Sequence, residues 1–87
     1  MPRLSEFKGM IFSMFWDEGH HRRPHFHVAY AEHRATFDLT GEPIAGSLPR
    51  RQRRLVKRWA KLHFDELNAD WDLIREEEEP KPIDPLP

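Results

Sequence analysis

The chain has 87 residues, 38% of them hydrophobic, with three Trp, six Phe, no Cys and a formal net charge of −1. That length excludes a second domain, the missing Cys excludes disulfide and thiolate chemistry, no apolar run reaches the roughly 20 residues of a membrane span, and residues 1–6 lack the apolar core of a secretory signal, so a small domain of the cytoplasm is expected. The near-zero charge hides a division: residues 1–64 carry twelve Lys/Arg against six Asp/Glu, a balance of +6, while residues 65–87 carry two against nine, a balance of −7.

In chain order, residues 8–16 predict a strand, because Met10, Phe12, Met14 and Trp16 alternate with Ile11, Ser13 and Phe15. Both faces are largely apolar, which suggests a central strand and a homodimer to cover the second face. Residues 17–24 read as a polar loop. Residues 25–30 predict a second strand, with Phe26, Val28 and Tyr30 on one face and His25, His27 and Ala29 on the other. Residues 33–39 predict a third strand after a hairpin connection, and 40–42 a turn. Pro43, Ile44 and Ala45 would then add a short edge strand.

A helix is expected over 48–67, with Ser47 as N-cap and Pro49 in the first turn. Leu55, Val56, Trp59, Leu62, His63, Glu66 and Leu67 fall on one arc, and Arg50, Arg54, Lys57, Arg58 and Lys61 on the opposite arc. Asp70 would cap a short second helix carrying Trp71 and Ile74. The acidic run 76–79 follows, then Pro80, Pro82, Pro85 and Pro87 keep the tail extended. The expected fold is α+β: an antiparallel sheet of three to four strands, one long amphipathic helix, a short second helix and a tail. Residues 1–79 form the expected domain and 80–87 the proline-rich tail.

Two constellations point to function. The first is histidine. Five of six His lie between residues 20 and 33. His25 and His27, two apart on a strand, project from one face roughly 6–7 Å apart. That spacing suits two ligands of a divalent metal such as zinc. It equally suits a general acid and base, or a structural pair bridging two elements. A metal needs a third ligand, and Asp17, His20, His33, Asp38 and His63 are the candidates. His63 lies in the apolar arc of the helix, so it would join His25 and His27 only if these faced the helix, which would turn Phe26, Val28 and Tyr30 outward. In a catalytic reading, His25, His27 and His63 are the residues at work.

The second constellation is basic. Seven of the twelve residues 50–61 are Lys or Arg, four of them in the first turns. A helix start carries about half a positive charge and favours Asp or Glu there. Cations at that place fit an arriving anion, or else a solvated face neutralised by 76–79. Arg50, Arg54, Lys57, Arg58 and Lys61 are therefore the expected contacts for nucleic acid first and an acidic protein segment second. No nucleophile motif, phosphate-binding glycine loop or pair of catalytic carboxylates appears.

The strand ending in Trp16 and Asp17, the string Pro24-His25-Phe26-His27-Val28 with Tyr30, and Gly46-Ser47-Leu48-Pro49-Arg50 together resemble one family. Trp59, Leu67, Trp71 and Ile83-Asp84-Pro85-Leu86 complete the set. The chain resembles the small prokaryotic proteins grouped as domain-of-unknown-function family 4160. His20 and His21 fall outside that pattern. The resemblance supplies no activity. It implies a neighbouring gene for another small protein, an arrangement like a toxin–antitoxin pair. Three functions follow as expectations: a nucleic-acid-binding component of such a pair, a non-enzymatic protein-interaction module, and a histidine-based metal-binding domain.

Overall fold

A computed structural model describes residues 3–16 and 23–87. Within them the fold is α+β. The elements are β1 (Arg3–Phe7), β2 (Met10–Ser13), β3 (His25–Tyr30), β4 (His33–Asp38), β5 (Pro43–Gly46), α1 (Arg50–Leu62) and α2 (Phe64–Arg75). The strands form one antiparallel sheet in sequence order.

The sheet has five strands rather than the three or four expected. The segment 8–16 is not one strand. Lys8 and Gly9 both take positive φ, 52° and 79°, and Phe7 pairs with Met10 across them. This two-residue hairpin matches the right-handed twist of its strands, and it turns residues 3–7 into a further strand. β3 and β4 occur where the alternation places them, and β5 forms the edge expected for 43–45.

One face of the sheet carries the core. Phe12, Phe26 and Trp59 are fully buried and Phe37 nearly so. The Trp59 indole lies 4.4 Å from the Phe12 ring and 5.5 Å from Phe26. Truncating such a side chain to Ala typically costs about 3–5 kcal/mol. The opposite sheet face carries Ile11, Ser13, Phe15, His27 and Ala29, all half-buried.

The helical region also departs from expectation. α1 has 13 residues and stops at His63 (φ −110°, ψ 26°), where α2 begins its own 12 residues. The described residues therefore hold two helices of similar length. The bend takes Leu62 off the core arc: it is 59% exposed. Ser47 does not cap α1. Its N–H donates to the Arg34 carbonyl at 3.2 Å as the chain leaves β5, and Pro49 occupies the cap with no side-chain hydrogen bond. Asp70 does not cap α2 either, since it lies inside that helix and is buried.

Residues 80–87 adopt no regular element, yet they are anchored at three points. The Lys81 N–H donates to Asp70 Oδ1 at 2.9 Å. The Ile83 N–H donates to the Leu4 carbonyl at 2.7 Å. Trp59 Nε1–H donates to the Asp84 carbonyl at 2.9 Å. Ile83 is buried among the core residues. The tail thus ties α2, β1 and α1 together.

Burial pushes the Asp70 carboxyl up, the Lys81 N–H pulls it down, the charge of Glu66 raises it and that of Lys81 lowers it; the net shift is upward from 3.8. A folded-state value above the unfolded one means stability that is present at low pH and lost as pH rises from about 3.8 through the raised value. Asp70→Asn keeps the acceptor for Lys81 and removes the buried charge. Urea unfolding across that window is expected to show a smaller fall with pH in the variant, at no loss of stability at pH 7. An unchanged slope contradicts this role for Asp70.

Candidate functional site

The basic face follows from how α1 is pinned. Val56, Trp59 and Ala60 are fully buried, so the opposite arc must face water. Arg50, Arg51, Arg53, Arg54, Lys57, Arg58 and Lys61 are all exposed. The first turn of α1 holds no acidic residue, so cations there oppose the helix dipole with nothing local to offset them.

Within the described residues, Glu42 is the one carboxylate paired with an α1 cation: it meets Lys57 Nζ at 2.8 Å. That hydrogen bond, with the charge of Glu42 behind it, raises the Lys57 pKa. Glu42 is brought there by the β4–β5 turn. Gly41 sits at φ +90°, and a Cβ on it would lie 2.8 Å from the Lys57 Cα. Only glycine lets this turn lie so close to the helix. The side chains of 76–79 are exposed, and none of them is ion-paired with α1.

Two grooves border this face. Arg50, Arg53, Arg54 and Lys57 line one of about 230 Å³ beside Gly41, Glu42 and Pro43. Lys57 and Lys61 line another of about 460 Å³ with Thr40, Glu42 and Phe64. The five cations singled out from the sequence therefore lie along one helix, and Arg51 and Arg53 join them.

The histidines are arranged differently. Phe26 and Val28 face the core, so His25 and His27 project from the other sheet face, with ring centroids 5.1 Å apart. His25 is 1% exposed. Its Nδ1–H donates to the Arg23 carbonyl at 2.7 Å, and its ring lies 5.2 Å from Trp71. His27 Nδ1 shares a hydrogen bond with Thr36 Oγ1 at 3.3 Å, and Phe15 stacks on its ring at 4.1 Å. The Nε2 atoms of both are shielded from solvent.

His63 does not join this pair. Its ring packs 5.7 Å from Trp59, and its Nδ1–H donates to Glu66 at 2.6 Å. His33 stacks on Tyr30. Asp38 accepts from the Thr40 N–H and hydroxyl and from the Glu42 N–H. Burial raises the Asp38 pKa, but those hydrogen bonds, and the charge of Arg23 after them, outweigh it and hold it below 3.8. Among the described residues no three His, Asp or Glu side chains are placed to hold one metal ion. Asp17 and His20, the other candidate ligands, lie outside the described residues.

Several residues of these sites escaped the sequence reading. Thr36 and Phe15 enclose His27, and with Ser13, Ala29, Arg34 and Ala45 they border a groove of about 340 Å³ on the outer sheet face. Strand pairing alone would have found Thr36, since it sits directly opposite His27 in the expected hairpin. Phe64 was passed over too, although the helix period sets it on the side away from Trp59.

The fold and site define a small α+β domain with a bare cationic helix and an enclosed histidine pair. The chain belongs to the DUF4160 family of domains of unknown function, whose family model matches residues 9–72. No curated protein and no solved structure matches it. No helix among the described residues is long and apolar enough to cross a membrane.

The enclosure of His25 predicts a structural penalty on its removal. His25→Ala is expected to lower stability by about 1–3 kcal/mol, through the orphaned Arg23 carbonyl and lost packing on Trp71. Denaturant unfolding checks this. An unchanged midpoint would show that His25 is not held for structure.

Proposed function

We propose that this domain binds nucleic acid through the exposed face of α1, without catalysing a reaction. The observation that carries the reading is the set of exposed cations on one helix with a single carboxylate partner among the described residues. Folding does not require their sign, and at the helix start their sign is unfavourable. A polyanion supplies the missing counter-charge and releases its own condensed ions on contact. The shielded Nε2 atoms of His25 and His27 support a structural rather than an acid–base role for that pair.

An acidic protein segment is the second reading, and it fits a module with a small protein partner of the toxin–antitoxin kind. A homodimer is a further part of the proposal, with a second copy covering the outer sheet face at Ile11 and Phe15. Sedimentation that gives a monomer at high micromolar concentration contradicts the dimer.

The test is binding of labelled RNA and DNA at low salt. Each neutralised phosphate contributes about 0.7–0.9 to the slope of log K against log salt. The double variant Arg54→Glu, Arg58→Glu is expected to abolish binding and keep its thermal transition, because both side chains are exposed. Converting 76–79 to Gln is expected to tighten binding by lowering long-range repulsion, and it spares the buried anchors Pro80 and Ile83. Binding that ignores the charge reversal, or no binding at about 50 mM salt, contradicts the proposal.

A further inference from the structure

We infer that the nucleic acid taken by α1 is single-stranded, with Phe64 as the platform on which a base stacks; this rests on the nucleic-acid reading above. Phe64 opens α2, directly after the bend at His63. It is 42% exposed and lies outside the hydrophobic core and the side chains packed on it. A large aromatic ring partly left in water is costly for a chain with a thin core, and among the described residues the core does not take it up. It is not isolated from the cations. Lys57, Lys61 and Phe64 border the same groove, of about 460 Å³.

Arg50, Arg54, Lys57 and Lys61 recur at spacings of three and four residues and stack along one side of α1. Phe64, the first residue of α2, joins that stripe through the groove it shares with Lys57 and Lys61. From Arg50 to Lys61 the rise is about 16 Å. A cationic track that ends on an exposed ring is the pairing that single-strand binders use: charge follows the backbone, and the ring takes an unpaired base. A duplex keeps its bases paired and stacked, so the ring reaches one only by prying a base step open, at a cost in unstacking. Lys61 is the last-turn cation of α1, so the track continues up to the ring. This pairing escaped the sequence reading: the basic run 50–61 lacks the interleaved exposed aromatics of single-strand binders. Phe64 lies just beyond that run, although the expected straight helix already puts position 64 on the side of Lys57 and Lys61.

The exposed ring, rather than the charge, favours this occupant over a purely acidic peptide, which would meet the cations and leave Phe64 unused. Thr40 on the groove wall adds a hydroxyl near the ring, and Glu42, held by Lys57, is the one acid lining that wall.

The experiment compares four probes with the full chain by fluorescence anisotropy: single-stranded RNA and DNA of about ten nucleotides, a DNA duplex of the same length, and a poly-glutamate peptide. Wild type is expected to bind the single strands more tightly than the duplex. Phe64→Ala is expected to weaken single-strand binding about 5- to 150-fold, the range for one lost base–aromatic stack. Its salt slope and its duplex affinity are expected to stay as in wild type, and Phe64→Trp is expected to restore the affinity. A preference for RNA or for DNA assigns the strand type within the inference. If Phe64→Ala binds single strands as wild type does, or if the duplex binds as tightly, the stacking inference fails and the nucleic-acid reading stands. If wild type binds no nucleic acid, or only the peptide, both fail. Circular dichroism of each variant confirms that the fold is retained, which the exposure of Phe64 leads us to expect.

Discussion

The Trp59 indole ties the sheet, the end of α1 and the tail together. Its ring meets Phe7, Phe12 and Phe26 on three successive strands and His63 one turn further along its own helix. Its one polar atom donates to the Asp84 carbonyl in the tail. A domain this small has little apolar surface to bury, so one fully buried indole fixes several elements together. Once Trp59 points at the sheet, the phase of α1 is set, and so is the side on which every Arg and Lys of that helix must lie. The bare cationic face is a geometric consequence of the core.

The same constraint explains where the acidic half goes. The bend at His63 starts α2 on Phe64, Asp65 and Glu66, so its first turn carries the acids that suit a helix start. His63 secures the bend through Glu66. α2 ends at Arg75 and the run 76–79 follows it, after which the tail returns over Asp70 to Trp59 and Leu4. The acidic run is kept on the far end of α2 while the residues after it are pinned to the core. None of its carboxylates is ion-paired with α1. Glu42 does neutralise one cation, and it does so through the glycine turn that lies against Lys57.

Much of this was legible in the sequence where a period was clear. Alternation located β3 and β4, and the 3.6-residue period put Trp59 inside and five cations outside. Local backbone events carried no comparable signal. The apolar run around Met10 and Phe12 masked the Lys8–Gly9 hairpin, because a turn that short leaves the alternation looking continuous. The amphipathic arc ran past His63 without a Pro or Gly to mark the bend. Leu62, at the edge of that arc, was assigned to the core, and Phe64 was overlooked although the same period sets it beside Lys61. Ser47 looked like a cap, but β5 claims its N–H. The tail was legible as extended, because prolines report an extended backbone, but they do not say which residues Ile83 touches. The histidine pair was placed correctly on one strand face, whereas its enclosure by Thr36, Phe15 and Trp71 depended on elements distant in sequence.

The claim at the centre of this account is that the surface opposite Trp59 receives an anionic strand. Amide chemical shifts of the labelled protein, followed during titration with a short single-stranded RNA, test it most directly. The account predicts shifts concentrated in residues 50–64 and in the adjoining turn 40–43. Shifts confined to the outer sheet face around His27 and Thr36, or none at low salt, would contradict it.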